Sequence, residues 1–244
     1  MAIRRDAHDD GVVVLVLDRP DRRNALDADD LATVHRHVLA AAADPGTRAL
    51  VFTGAGGHLT AGADISAAVD TAFARAFADF VAAVRAVPCP TLCAAEGVAL
   101  GGGTQLAVSC DLRVAAPDAR FGIPAARLGL MIDQATVSRL AAVAGQGTAR
   151  AMLLGGEIVS GERAHDVGLV QRLGHLDAAL AWAAEIAELA PLSLAGHKVG
   201  LDRAADADVT PDYADAHARA WASEDLQEGF AAFRERRTPR FHGR

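Results

Sequence analysis

A chain of 244 residues with 51% hydrophobic side chains is long enough for one large domain, or for one domain with a helical appendage. Its net charge of −7 argues against non-specific nucleic-acid binding as a main role. Arginines still cluster at Arg19, Arg22 and Arg23, and again at Arg234, Arg236, Arg237, Arg240 and Arg244, which fits a specific anionic small molecule on an acidic protein.

Cys89, Cys93 and Cys110 are an odd set in apolar surroundings and read as small core residues in a reducing compartment. No His/Cys set has zinc spacing, so no metal is expected. The longest early apolar run, Val12 to Leu17, is too short for a signal or a membrane span. A soluble, cytoplasmic protein is the expectation.

In chain order, residues 2–7 and 12–17 read as strands joined by the turn signal Asp9-Asp10-Gly11. A polar loop, Asp21 to Leu26, leads to Asp27–Asp30, which offers N-caps for a helix to about Ala43. Ala49 to Thr53 reads as a buried strand. The glycines after it do not make a dinucleotide fingerprint, because the third glycine is missing and no helix starts before Gly62. Phe73, Phe77, Phe80, Val84 and Val87 mark a long helix.

Thr91 to Ala95 reads as a strand, and Gly101-Gly102-Gly103 then opens a helix at Thr104. Three glycines permit an unusually close backbone approach. The first N–H groups of the helix lack intrahelical partners and suit an oxygen that becomes negative. The alternative is a tight turn made for packing. Leu112–Ala115 and Ala119–Gly122 read as further strands, Thr136–Val143 and Thr148–Leu154 as helices, Ser160 as an N-cap and Gly168–Leu173 as a last strand. Beyond Leu176 the pattern is helical. The order suggests an α/β core followed by helices.

Taken together, Asp18-Arg19-Pro20 with Asn24-Ala25-Leu26, Ala61-Gly62-Ala63-Asp64-Ile65, Gly97 to Gly103, Cys110 to Arg113, Phe121 to Pro124, Gly168 to Val170 and Glu228 to Phe233 resemble the enoyl-CoA hydratase/isomerase, or crotonase, superfamily in order and over nearly the whole chain. The resemblance implies a spiral of ββα units over residues 1–190, a helical trimerisation region over 191–244, and a homotrimer or homohexamer. It implies acyl-CoA as ligand, with coenzyme A present as part of the substrate rather than as a resident cofactor. The backbone N–H groups of Ala63 and Gly102 would hold the thioester oxygen. Asp64, next to Ala63, is counted among the substrate-binding residues, and its plainer reading is a cap for the following helix rather than a chemical role. Arg23, Ala25, Ala61 and Ile65 would lie at the CoA end. Phe233 and Arg236 would reach a neighbouring subunit's nucleotide.

Family hydratases place glutamates where this chain has Gln105 and Ala125, the latter just after Pro124, so the resemblance implies that the usual hydration is impaired. Asp133 stands where some branches of the family carry a functional aspartate. It is either a proton-shuttling or attacking group, or an N-cap for the helix near Thr136. Three readings follow: an acyl-CoA binder with little or no turnover, an isomerase or other enolate enzyme using Asp133, and a structural subunit of a lipid-metabolising assembly.

Overall fold

A computed structural model describes residues 2–8, 10–65, 70–202, 215, 219 and 222–244, less the side chains of Phe230, Phe233 and Arg234. Strands β1 (Ile3–Ala7), β2 (Val12–Leu17), β3 (Ala49–Gly54), β4 (Thr91–Ala95), β6 (Leu112–Ala115) and β9 (Arg172–Leu173) form one sheet, in the order β1-β2-β3-β4-β6-β9. Only β1 runs antiparallel to its neighbour, β2. A second sheet holds β5 (Val98–Leu100), β7 (Arg120–Gly122) and β8 (Val159–Ser160).

The sheet is apolar on both faces, as parallel strands covered on both sides must be. Val12, Val14 and Val16, with Ala49, Val51, Leu92, Ala94 and Val114, pack against Ala179, Ala183, Ile186 and Ala187 of α6 (Leu176–Ala187). The alternate residues Val13, Leu15, Leu17, Leu50, Phe52 and Cys93 join the larger cluster with Leu31, Val34 and Val38 of α1 (Ala28–Ala43) and Phe73, Phe77, Phe80 and Val84 of α2 (Thr71–Ala86). The period of two along each strand thus decides which layer a side chain enters.

Pairs of strands each lead into a helix. β1 and β2 precede α1, β4 and β5 precede α3 (Gly102–Ser109), and β6 and β7 precede α4 (Gln134–Leu153), so the α/β fold is a succession of ββα units. Helices α5 (Gly161–Asp166), α6, α7 (Pro191–Asp202) and α8 (Glu224–Glu235) complete the described elements. Lys198 anchors α7: its ammonium donates to Asp111 Oδ2 at 2.7 Å and to the Cys89 carbonyl at 3.3 Å.

The structure differs from the sequence expectations in three places. Val98–Leu100 is a strand, paired in parallel with β7. The last strand shrinks to Arg172–Leu173, because Gly168 (φ 81°) and the bond from Val170 N–H to Ala164 O spend the preceding residues on ending α5. The two helical stretches after Thr136 are one element, interrupted at Gly145 (φ 77°). Trp221 and the side chain of Phe230 lie outside the described residues.

Candidate active site

Four backbone segments lie side by side. The first is the loop 19–27, whose corner is built from two consecutive left-handed residues, Arg23 (φ 50°) and Asn24 (φ 56°). Asn24 is 1% exposed and earns that conformation through its side chain. Its amide donates to the carbonyls of Ala55 (2.9 Å) and His58 (2.7 Å), and its Oδ1 accepts from Arg19 N–H (2.8 Å).

The second segment, Thr60 to Asp64, runs along the first. Ala61 N–H donates to Arg23 O, Leu26 N–H to Gly62 O, and Asp64 N–H to Leu26 O. Thr60 Oγ1 donates to Asn24 O at 2.6 Å and accepts from Gly62 N–H at 3.0 Å. On its other side Thr60 pairs with the third segment, Val98 to Gly102. Its N–H donates to Val98 O, and its carbonyl accepts from Leu100 N–H. The third segment joins the fourth, Arg120 to Ala125, through Gly101 N–H donating to Gly122 O at 2.8 Å and through buried Thr104. That hydroxyl donates to Ala99 O (2.5 Å) and accepts from Gly122 N–H (2.9 Å).

This strip brings together Arg23, Ala25, Ala61, Ala63, Gly102, Pro124 and Ala125, which the sequence separates by up to about a hundred residues. In the parallel bridge between Leu26 and Ala63, Gly62 O and Asp64 N–H face the loop. Successive peptide groups of an extended chain point to opposite sides, so the Ala63 N–H faces away from that loop. The two donor segments touch: a Cβ on Gly62 would stand 2.7 Å from Gly102 N, and one on Gly102 would stand 3.2 Å from Gly62 Cα. Gly102 is the first residue of α3, whose N-cap, Gly101 (φ 54°), offers no side-chain bond. Among the described residues, neither the Ala63 nor the Gly102 amide has a hydrogen-bond partner, whereas the amides of Gly62, Asp64 and Gly101 are all engaged. Two unengaged amides on abutting segments, one at a helix N-terminus, are suited to holding an oxygen with negative character.

Asp64 is 7% exposed and is ion-paired to Arg19 (3.4 Å) and Arg22 (3.3 Å). The N-cap of α2 is Asp70, six residues beyond Asp64, which accepts from Ala72 and Phe73 N–H. Asp70 lies beside the apolar start of that helix, and this proximity was the available signal. Asp133 caps α4: one carboxylate oxygen accepts from Thr136 N–H (2.9 Å) and the other from Thr136 Oγ1 (2.6 Å). Glu96 is structural, accepting from Leu176 N–H at 3.3 Å and lying 3.5 Å from His175.

Gln105 is half-buried on α3, and its side-chain amide has no hydrogen-bond partner among the described residues. Ala125 is half-buried at the start of a short turn, and Pro124 precedes it. Ile65 is 70% exposed. Arg236 is exposed and left-handed (φ 55°), and Phe233 lies on α8 with its side chain outside those described. No group of three or more His, Cys, Asp or Glu able to hold a metal occurs among the described residues. A cleft of about 340 Å³ between the end of α2 and α7, lined by Arg85, Lys198 and Asp202, shares no residue with the strip.

The ββα succession and the paired glycine segments define a class. The chain belongs to the enoyl-CoA hydratase/isomerase family, whose model matches residues 7–244. It is 41% identical over 239 residues to the probable enoyl-CoA hydratase echA6 of Mycobacterium tuberculosis, covering 96% of this chain and 97% of that one. It is 33% identical over 244 residues to 2,3-dehydroadipyl-CoA hydratase of Escherichia coli, covering 96% of each. Among solved structures, an enoyl-CoA hydratase/carnithine racemase from Magnetospirillum magneticum superposes with a TM-score of 0.91 at 30% identity, over 100% of this chain and 96% of that one.

Proposed function

We infer that this protein binds acyl-CoA thioesters, with the thioester oxygen between the backbone N–H groups of Ala63 and Gly102. The observation that carries the reading is the pair of unengaged amides on segments in van der Waals contact, in a chain of this family. When the acyl chain is attacked or deprotonated, the thioester oxygen gains charge, and two fixed donors stabilise it without reorganisation. Loss of one such donor costs roughly 10²–10³ in rate where chemistry follows.

The usual hydration is not part of this reading. Hydration needs groups that activate water and handle the α-proton. Gln105 and Ala125, in the positions where family hydratases place glutamates, cannot exchange protons at neutral pH. Asp133 already serves as the N-cap of α4, with one bond from Thr136 accepted on each carboxylate oxygen. The protein therefore holds a thioester without efficient hydration. Trimers or hexamers, with Phe233 and Arg236 reaching a neighbour's nucleotide, belong to the same proposal.

The test is calorimetric titration with saturated and α,β-unsaturated acyl-CoAs, beside assays of hydration and double-bond migration for the wild type and Asp133→Asn. Micromolar or tighter binding with turnover near background supports the reading. Absence of acyl-CoA binding overturns it, and turnover abolished by Asp133→Asn would favour enolate chemistry instead.

A further inference from the structure

Loop 19–27 carries an ion-pair node that the thioester reading does not use. Its centre is Arg19, whose guanidinium Nη1 donates to Asp27 Oδ2 (2.8 Å), to Asp30 Oδ2 and to the Ala25 carbonyl (3.3 Å). Its Nη2 reaches Asp64 Oδ2 at 3.4 Å, and Arg22 approaches the same oxygen at 3.3 Å. The Arg19 side chain is 25% exposed, and those of Asp30 and Asp64 are 9% exposed. Arg19 N–H donates in addition to Asn24 Oδ1. One residue thus touches the N-terminus of α1, the left-handed corner and the residue directly after Ala63.

Three further facts give the node a direction. Asp27 and Asp30 are locked in a reciprocal capping box, so they are fixed points on α1 and not floating partners. Asp64 is the residue whose N–H closes the bridge from Ala63 to Leu26. That bridge sets which way the Ala63 N–H faces. A planar guanidinium presents five donors in a rigid fork and so holds several carboxylates in one fixed geometry, where an ammonium is a rotatable point charge. The charge pattern is therefore an arm running from α1 through Arg19 and Asp64 to the Ala63 peptide.

We propose that Arg19 is a positioning residue for the thioester-holding donor at Ala63, acting through Asp64. This rests on the reading of the site given above. Arg19 itself does not touch the acyl group.

The test uses the full-length protein, an acyl-CoA labelled with ¹³C at the thioester carbonyl, and CoA itself. The infrared carbonyl stretch of the bound label reports how strongly the donors polarise it, and a role in general stability would leave that frequency unmoved. In the wild type, binding lowers the stretch. In folded Arg19→Met most of that lowering is lost and acyl-CoA binds roughly tenfold more weakly, the scale of one charge-assisted hydrogen bond, while CoA, which has no thioester, is held as before. Should Arg19→Met not fold, Asp64→Asn, equal in shape and lacking the charge, carries the same measurement. A full wild-type shift retained in either folded variant overturns the positioning role. A wild type that binds acyl-CoA with no lowering at all overturns the thioester reading instead, so the two failures are distinct.

Discussion

The α-carbon of Gly62 is packed against the backbone nitrogen of Gly102, so closely that a Cβ at Gly62 would sit 2.7 Å from it and 2.9 Å from Leu100 O. Both neighbours are backbone and cannot swing aside. Gly62 has φ 93°, where a non-glycine residue costs about 1–3 kcal/mol. Overpacking adds a similar amount. Gly62→Ala is expected to lower the thermal midpoint and to remove acyl-CoA binding, because the strand carrying Ala63 must move away from Gly102. A melting curve and a titration on the same sample check both.

Gly102→Ala tests the other half of that contact. Its Cβ would stand 2.9 Å from Cε2 and Cζ of Phe77, a side chain on α2, besides the approach to Gly62. Here part of the obstacle is a ring that can be shortened. Phe77→Leu is expected to weaken stability by about 1 kcal/mol alone, yet to recover part of what Gly102→Ala loses. A double-mutant cycle with a coupling energy of at least about 0.5 kcal/mol is the expected result, and additivity would count against the contact.

Arg113 secures the far end of the same helix. It is 3% exposed and is surrounded by carbonyls: Leu169 O at 2.5 Å from Nε, Ala107 O (3.1 Å) and Cys110 O (2.7 Å) from Nη1, and Asp111 O (3.1 Å) from Nη2. Burial pulls its pKa down, but the carbonyls at the α3 C-terminus favour a cation there. Arg113→Met would remove four bonds and leave the Ala107, Cys110 and Asp111 carbonyls without this donor, Leu169 O keeping only Gln171 Nε2 at 3.5 Å, at roughly 1 kcal/mol for each orphaned acceptor, about 3 kcal/mol in all. Denaturant unfolding measures it.

Several of these relationships were readable from the sequence, and others were not. The capping signals of α1 and α5, the apolar period of β2 and the glycine run before α3 are local, and local rules find them. The pairing of Asp64 with Arg19 and Arg22 is not legible in the sequence, because these arginines are more than forty residues away and no spacing rule connects them. The strand Val98–Leu100 is not legible in the sequence, because three residues carry too little period and its pairing with Arg120–Gly122 is purely tertiary. The strip of four segments is long-range throughout. Only the resemblance to a family, not the pattern of residues, pairs Ala63 with Gly102; what the structure adds is the contact of Gly62 with Gly102.

The C-terminal tail supplies a pH dependence. Glu228 accepts from Arg237 Nη1 and Nη2 and from Arg240 N–H, and these bonds hold its carboxyl down to about 2 from an ordinary 4.5. A depressed folded-state pKa gives a contribution that is complete above 4.5 and is lost as pH falls through about 2. The tail is therefore expected to stay docked at pH 5 and to loosen progressively below 4.5. Pepsin cleavage near Phe241 reads this directly. Glu228→Gln should weaken this anchor at every pH and raise the cleavage rate, while Asp225, which accepts from His242 and Gly243 N–H, and Arg48, which donates to Phe241 O, still hold the end of the tail; a cleavage rate equal to wild type would exclude anchoring by Glu228.

The strongest test of the chemistry is to restore what the strip lacks. Gln105 lies on the helix that begins with Gly102, and Ala125 follows the segment bonded to Gly101 through Gly122, so both positions border the proposed thioester site. Gln105→Glu is nearly isosteric. Ala125→Glu adds a longer chain at a half-buried turn position, at a cost of about 1 kcal/mol. A single carboxylate can take or give a proton but cannot do both on the two carbons of the double bond. Each single variant is thus expected to hydrate crotonyl-CoA scarcely above wild type, and the double variant at least about 10²-fold faster. Solvent deuterium incorporation at the α-carbon, followed by NMR, checks that the gain comes from proton transfer. A wild type that already hydrates as fast as the double variant would mean that the proton is handled by a group other than these two.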